Sequence, residues 1–294
     1  MKRSIEFRTD DGKTLRGWLK TPVTGGPHPL VVMTHGAGGH KEWFLPALSD
    51  VLLGAGIASL AYDHRNFGES DGEPRFEIDP PLHIRDYRSA ITFACTLPEV
   101  NKDRIGIFGT SLSGGQVLVV GAVDRRVKCV VAQVPSVSGA AGTIRRYQPE
   151  ELAANRKRWE QDRMNRFLGK PPATVPHSVD DPNDAIAGRS SNRVKFFKFL
   201  TDEDKVHWKN TLTLRSLEAI SEFEPGVYAR LISPTPLLMI VSQAEAQLML
   251  PTYESALEPK KVVITRGDHY DPYMDEFETA TTATREWFSQ WLAM

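Results

Sequence analysis

The sequence predicts an α/β fold in which helices cover both faces of a doubly wound, mostly parallel sheet. Three observations support this prediction. An alternating hairpin opens the chain of 294 residues, short unbroken apolar runs then recur with helix-length amphipathic stretches after them, and one long segment lacks any strand pattern. Strands that are apolar on both faces are typical of parallel sheets buried between two layers of helices.

The first two strands are expected to form an antiparallel hairpin at the edge of the sheet. Residues 5–8 and 15–19 alternate in polarity, and Asp10-Asp11-Gly12 between them is a turn sequence. Six buried strands follow, at residues 30–34, 57–62, 105–108, 127–134, 237–241 and 262–264. We expect function at their carboxyl ends, where open parallel sheets bind ligands.

An inserted segment separates the fourth and fifth of these buried strands. Residues 136–232 show no strand pattern but three helical patterns, at 149–168, around 194–200 and at 212–223. Pro149 suits the first turn of its helix, and Gly169 suits the stop. The sequence therefore predicts a core made of residues 1–135 and 233–294, with residues 136–232 inserted as a helical cap.

Composition and charge exclude several classes of partner. Lys and Arg total 36 against 37 for Asp and Glu, a net charge of -1, so no basic field exists for nucleic acid or an anionic membrane. No apolar run approaches about 18 residues, and charges interrupt the N-terminus, so neither a membrane span nor a signal peptide is expected. Cys95 and Cys129 lie in apolar sequence, which favours free thiols in a reducing, cytoplasmic compartment.

The sequence predicts no metal or organic cofactor. Cysteines and histidines do not cluster at ligand spacing, and the glycines after Gly109 lack both the P-loop lysine and the dinucleotide fingerprint. No pattern indicates an oligomeric state.

The strongest motif is a serine that directly follows a predicted strand and precedes a helix. Gly109 stands two residues before Ser111 and Ser113 two residues after it. Small residues at both positions permit the sharp turn that exposes a nucleophilic serine, and Ser113 departs from the usual glycine. A serine here can also be a plain helix N-cap, but the strand before it and the helix after it favour a nucleophile.

A glycine-rich loop follows the strand at 30–34. The run His35-Gly-Ala-Gly-Gly39 can point a backbone N–H group at the oxygen of a tetrahedral intermediate. We expect the N–H groups of Ala37 and Leu112 to form this oxyanion hole. A plain glycine-rich turn is the alternative, although one chemistry would use this loop and the serine motif together.

Nucleophilic catalysis by serine also needs a base and an acid. His269 follows the last predicted strand, at the end of the sheet where Ser111 also lies, and it is last in the order serine, acid, histidine. Glu245 is the first carboxylate after the strand at 237–241, whereas Asp268 and Asp271 lie beside His269. We favour Glu245 as the acid and keep both aspartates as alternatives.

Several of these motifs together resemble one family. Residues 63–72, 109–115, 233–240, 256–261 and 267–273 are similar to the polyketide transferase-like and dienelactone-hydrolase-like α/β-hydrolases of fungal secondary metabolism. The resemblance extends from about residue 5 to about residue 291. It implies the α/β-hydrolase fold and acyl or thioester chemistry at Ser111, with His269 as base. Where that family has aspartate after the seventh strand, this chain has Glu245.

The leading functional prediction is a serine hydrolase or acyltransferase acting on a small-molecule ester or thioester. A cyclase or isomerase that reuses the oxyanion pocket and His269, or a non-catalytic ligand-binding protein, are the alternatives. Trp159 and Trp208 of the predicted cap either pack the cap onto the sheet or are candidate substrate-binding residues for an apolar acyl chain. The resemblance also allows an acyl carrier protein as partner. Five basic residues of one helix, interleaved with acidic ones, are typical of a solvated helix face or, alternatively, could dock it: Arg156, Lys157, Arg158, Arg163 and Arg166.

Overall fold

The computed structural model describes residues 1–23, 25–177 and 191–292. Within them, eight strands form one sheet in the order β1-β2-β4-β3-β5-β6-β9-β10, and β7 pairs with β8 in a separate ribbon. The strands are β1 (Lys2–Arg8), β2 (Thr14–Lys20), β3 (His28–Thr34), β4 (Ala58–Tyr62), β5 (Val100–Thr110), β6 (Val127–Gln133), β7 (Thr174–Val175), β8 (Leu212–Thr213), β9 (Leu237–Ser242) and β10 (Lys260–Thr265). The β1–β2 hairpin is antiparallel and lies at the edge, and β4, β3, β5, β6, β9 and β10 are parallel. The predicted doubly wound fold is confirmed.

Helices connect the parallel strands and cover the sheet. They are α1 (Leu45–Gly54), α2 (Pro80–Ala94), α3 (Leu112–Val123), α4 (Gly139–Arg146), α5 (Pro149–Phe167), α6 (Ser191–Phe199), α7 (Leu214–Ser221), α8 (Ala246–Ser255) and α9 (Phe277–Leu292). The sequence pattern predicts α5, α6 and α7 but not α4. In the described chain, no helix is both long enough and apolar enough to cross a membrane.

Each face of the sheet has its own apolar core. Val31 and Met33 of β3 pack with residues of α1 and α9, whereas Leu30 and Val32 pack with residues of α2 and α3. Because side chains on both faces are buried, these strands are unbroken apolar runs in the sequence rather than alternating ones. Both cysteines are free thiols, with Cys129 buried and Cys95 half-buried.

The inserted segment contains α4 to α7 and also the β7–β8 ribbon. The prediction that it has no strand is therefore wrong, because two-residue strands are too short to show periodicity. An apolar cluster, here called the cap cluster, joins the segment to the core. Its members are Phe67, Ile78, Leu112, Trp159, Val175, Leu212, Leu214 and Leu217. The boundaries of the cap at residues 136 and 232 stay a prediction.

Four buried histidines, His35, His40, His64 and His83, form a chain of ring contacts. The rings of His64 and His83 stack with their centroids 4.2 Å apart, and the rings of His35 and His64 lie 5.1 Å apart, edge to face. Burial lowers the pKa of His35 to about 4 and those of His40 and His83 to about 3, and it lowers the pKa of His64 well below its usual value. All four rings are therefore neutral at pH 7.

We expect acid to destabilise the fold because of these histidines. Their pKa values in the folded chain lie below the value of about 6.5 in the unfolded chain, so the unfolded chain binds more protons as the pH falls below about 6.5. Each histidine then lowers the free energy of unfolding by up to about 1.4 kcal/mol per pH unit until its folded pKa is reached. Burial raises the pKa of Asp86 to about 6, which offsets part of this loss.

Urea unfolding at pH 7, 6 and 5 measures this slope. Neither ring nitrogen of the buried His40 has a hydrogen-bond partner among the described residues, so His40→Phe removes a titrating group without removing one of these bonds. This variant should show a shallower slope than the parent, and His207→Phe, whose ring is 36% exposed, serves as control. If the free energy of unfolding of the parent is unchanged between pH 7 and pH 5, the buried histidines do not have the lowered pKa values described above.

A close contact between β5 and α9 gives a second stability prediction. A Cβ atom on Gly106 would lie 2.6 Å from Cε1 of the fully buried Phe288 ring, so Gly106→Ala should destabilise the fold by about 1–3 kcal/mol. At the matched control, Gly54 in the last turn of α1, a Cβ would meet no described atom within 4 Å apart from its chain neighbours and its own helix backbone. Gly54→Ala should therefore be neutral or stabilising by up to about 1 kcal/mol. Chemical denaturation of both variants measures the difference, and equal free energies of unfolding would contradict it.

Candidate active site

A sharp turn between β5 and α3 presents the candidate nucleophile. Ser111 lies between the end of β5 at Thr110 and the start of α3 at Leu112, with φ 57° and ψ -119°. A non-glycine residue rarely adopts a positive φ, and such residues concentrate at functional sites. A Cβ on Gly109 would collide with the carbonyl oxygen of Ser113, which explains why this turn needs glycine two residues before the serine.

Backbone hydrogen bonds to the last residue of β6 and to the loop after it hold the strained serine. The Ser111 N–H donates to the Gln133 carbonyl at 2.9 Å, and the Ser136 N–H donates to the Ser111 carbonyl at 2.8 Å. The conformation is thus fixed from both sides of the residue. The side chain is left to face the cavity at the carboxyl edge of the sheet.

Ser113, the departure from the usual motif, is fully buried behind the turn. Its hydroxyl makes a hydrogen bond with the Thr34 hydroxyl and donates to the Gln116 side-chain oxygen at 3.1 Å. The extra side chain is therefore satisfied by polar partners. Its position explains how the motif accepts serine in place of glycine.

The structure brings Ser111, His269 and Glu245 into one hydrogen-bonded chain. Nε2 of His269 lies 2.9 Å from Oγ of Ser111, and Nδ1 of His269 lies 2.8 Å from Oε2 of Glu245. The Ser242 hydroxyl, at the end of β9, also donates to Oε2 of Glu245 at 3.1 Å. The Ala244 N–H donates to the Gly267 carbonyl at 3.0 Å, which ties the loop of the acid to the loop of the histidine.

The two alternative carboxylates build the histidine loop. Oδ2 of Asp271 accepts from the Asp268 N–H at 2.6 Å, and Oδ1 of Asp268 accepts from the Tyr270 N–H at 2.9 Å. Gly267 has φ 76°, and a Cβ there would collide with the Asp271 carboxylate. The geometry therefore favours Glu245 as the partner of the histidine and gives both aspartates a structural part.

Electrostatics keep Glu245 ionised. Burial raises the pKa of Glu245, but the attraction of His269 and the hydrogen bonds from His269 and Ser242 outweigh burial and hold that pKa below its usual value. An ionised carboxylate only accepts hydrogen bonds, so Nδ1 of His269 carries the proton. Nε2 is then the acceptor for the Ser111 hydroxyl, as a general base requires.

The glycine-rich loop after β3 runs beside the serine. A Cβ on Gly36 would lie 2.8 Å from Cβ of Ser111, so only glycine permits this approach. Ala37 and Leu112 line the same cavity as Ser111, which is the placement the predicted oxyanion hole needs. Leu112 begins α3, and the first N–H groups of a helix have no acceptor within the helix.

A cavity of about 650 Å³ opens above the serine. One side, here called the aromatic wall, consists of rings that contact one another: Trp43, Phe44, Phe196, Phe197, Tyr270 and Tyr273. Such a surface suits an apolar ligand with few polar groups.

The placement of Trp159 and Trp208 corrects their prediction as substrate-binding residues. Neither tryptophan is among the described residues that line the cavity above Ser111. Trp159 is buried in the cap cluster, and Trp208 packs behind Phe197 and donates its indole N–H to Nδ1 of His177 at 3.4 Å. Large aromatic residues in the segment reveal an apolar surface, but sequence alone does not show which of them reach the cavity.

A buried lysine anchors the glycine-rich loop, which sequence reasoning missed because Lys41 stands in an ordinary polar run. Nζ of the fully buried Lys41 lies within 2.7–2.9 Å of carboxylate oxygens of Glu42, Asp63 and Glu69. Burial lowers the pKa of Lys41, but the attraction of Asp63 and three hydrogen bonds raise it above its usual value. Two groups of side chains here come within metal-ligand reach: His40, Glu42 and Asp63, and Glu42, Glu69 and His207. The ammonium already pairs with the carboxylates of both groups.

Several known proteins are similar to this chain in sequence and in fold. The chain matches the alpha/beta hydrolase family over residues 31–284. It is 30% identical to a thiohydrolase of Eupenicillium brefeldianum, over 90% of this chain and 86% of that protein, and 32% identical to a polyketide transferase of Aspergillus fumigatus, over 92% and 91%. The crystal structure of the alpha/beta hydrolase GrgF from Penicillium sp. sh18 covers 100% of both chains with a TM-score of 0.85 and 25% identity. The resemblance seen in the sequence is confirmed, and this chain belongs to the alpha/beta hydrolase family of enzymes.

Proposed function

We propose that this enzyme cleaves esters or thioesters through an acyl-enzyme on Ser111 and passes the acyl group to water or an alcohol. The hydrogen-bonded chain from Glu245 through His269 to Ser111 carries the proposal. Relatives named thiohydrolase, polyketide transferase and acyltransferase support a thioester as the donor.

The first half of the reaction forms the acyl-enzyme. Oγ of Ser111 attacks the carbonyl carbon while Nε2 of His269 takes the hydroxyl proton, and Glu245 stabilises the imidazolium that results. The negative oxygen of the tetrahedral intermediate accepts hydrogen bonds from the N–H groups of Ala37 and Leu112. The intermediate collapses as His269 returns its proton to the leaving alcohol or thiol.

The second half repeats these steps with a new nucleophile. Water or an alcohol gives its proton to His269 and attacks the carbonyl carbon of the acyl-enzyme; His269 then returns the proton to Oγ of Ser111, which leaves as the free hydroxyl. The aromatic wall is the surface for the apolar acyl group, with Phe196 and Phe197 in the place first predicted for Trp159 and Trp208.

Two finer expectations stay predictions. The first is docking of an acidic acyl carrier protein on α5. Arg163 pairs with Glu218 and Arg166 pairs with Asp162, so the predicted docking surface is reduced to the exposed charges of Arg156, Lys157 and Arg158. The cytoplasmic location likewise depends on composition alone.

Replacing the nucleophile tests the proposal directly. Ser111→Ala should lower kcat for p-nitrophenyl acetate and for a simple acyl thioester by about 10⁴-fold or more, since removal of a triad serine has effects of this size in serine proteases. Circular dichroism and the melting temperature should match those of the parent, because one hydroxyl facing the cavity contributes little packing.

Labelling separates the alternatives to this proposal. Fluorophosphonate should modify the parent at Ser111, and mass spectrometry should detect an acyl-enzyme with a slow ester substrate. A non-catalytic protein would not react with the label, and a cyclase or isomerase would turn over without the acyl-enzyme. Activity of Ser111→Ala within about tenfold of the parent would show that another group performs the chemistry.

The acid has its own test. Glu245→Gln keeps the size of the side chain but favours the wrong tautomer of His269, an exchange that costs about 10⁴ in kcat in the serine-protease case. Glu245→Asp should cost less, because the charge remains and only the reach shortens. The matched comparisons are Asp268→Asn and Asp271→Asn, which should act mainly on stability. A kcat for Glu245→Gln within about fivefold of the parent, with a larger loss in either aspartate variant, would move the role of acid to that aspartate.

A further inference from the structure

Two arginines lie at the mouth of the cavity, opposite in chemistry to the aromatic wall. Arg145 and Arg146 form the last turn of α4, and both line the cavity that contains Ser111. Both side chains are exposed, so they border the cavity on its solvent side. Helix α4 is an element that the sequence pattern did not predict, and the proposed reaction uses neither charge.

No carboxylate forms a direct ion pair with either arginine within residues 1–23, 25–177 and 191–292. Neither guanidinium has an acidic side chain within 4.0 Å there, and the only bond of Arg145 to a carbonyl reaches Ala244 at 3.4 Å. The carboxylates on the cavity lining, Glu245 and Asp268, accept hydrogen bonds from other partners. A solvated pair of positive charges thus borders a cavity that the aromatic wall bounds on one side.

We propose that Arg145 and Arg146 bind an anionic group of the acyl donor, a phosphate or a carboxylate, and so select charged donors over neutral ones. The inference rests on the proposed acyl transfer at Ser111 and specifies its substrate. Guanidinium groups hold phosphate and carboxylate oxygens through paired N–H bonds. An apolar acyl group against the aromatic wall leaves the charged part of the donor at the mouth, where the arginines are.

The two arginines differ in their value as probes. Arg145 bonds to the residue before Glu245 and favours the ionised form of that carboxylate, so its removal also disturbs the triad. Arg146 has no such link to the acid and is the cleaner position. Basic residues near a helix C-terminus also stabilise the helix, so the test must separate binding from stability.

The experiment compares two thioesters that differ only in one phosphate, butyryl-pantetheine and butyryl-4′-phosphopantetheine. The parent should prefer the phosphorylated donor, and Arg146→Gln should reduce the ratio of the two kcat/KM values by about tenfold or more, through KM rather than kcat. The matched control is Arg85→Gln on α2, an exposed arginine that does not line the cavity and should leave the ratio unchanged. Succinyl-pantetheine against butyryl-pantetheine forms a second pair, in which the anion is a carboxylate on the acyl side.

The two substrate pairs distinguish an anion on the thiol side of the donor from an anion on its acyl side. A reduced ratio in the phosphate pair assigns the anion to the thiol side of the donor, and a reduced ratio in the carboxylate pair assigns it to the acyl side. Ratios within about twofold of the parent in both pairs overturn the inference. The proposed function stands in that case if the parent still cleaves the neutral thioester and Ser111→Ala does not.

A binding measurement avoids dependence on turnover. In the Ser111→Ala background, 4′-phosphopantetheine and succinate should each be titrated while the melting temperature is followed. A stabilising shift that disappears in Ser111→Ala/Arg146→Gln supports the anion site. An equal shift in both proteins overturns it.

Discussion

The strained turn at Ser111 is the constraint on which the rest of the site depends. A serine with φ 57° persists only if its surroundings over-determine it, and here Gln133 at the end of β6 and Ser136 just after it bond to both sides of the serine backbone. The turn also requires glycine, which has no side chain, at two neighbouring positions. Gly109 lets the start of α3 close over β5, and Gly36 lets the loop after β3 pass beside the serine. The conformation of this one residue thus depends on three neighbouring strands, β3, β5 and β6, and on the loops that follow them.

The parallel sheet brings the other members of the site to the same edge. Ser111 follows β5, Glu245 follows β9 and His269 follows β10, so residues that are more than 150 positions apart in the chain meet within one hydrogen-bonded row. Each loop then has its own support. Lys41 fixes the glycine-rich loop by ion pairs, whereas Asp271 shapes the histidine loop by accepting a backbone N–H group. Charged side chains therefore set the geometry, and only a few of them take part in the chemistry.

What the sequence could predict follows from how local each feature is. The strands, the turn at Ser111 and the candidate base are local patterns, because a buried strand followed by small residues or by histidine is visible within about ten positions. The choice of Glu245 over Asp271 depends on which carboxylate the folded loop turns toward His269, and no local pattern contains that. The same holds for the aromatic residues of the inserted segment: Trp159 and Phe197 are both large and aromatic, and only packing puts one in the cap cluster and the other on the cavity wall.

Leu112 shows how the two halves of the site constrain each other's evolution. Its backbone begins α3 beside the nucleophile, while its side chain is a member of the cap cluster together with Trp159 and Leu217. New substrate preferences in such enzymes would arise by drift in the inserted segment. Substitutions at Trp159 and Leu217 are restricted, because each new side chain must still present an apolar surface to Leu112 to keep the turn covered. The segment can thus diversify where it faces the ligand but not where it rests on the catalytic turn.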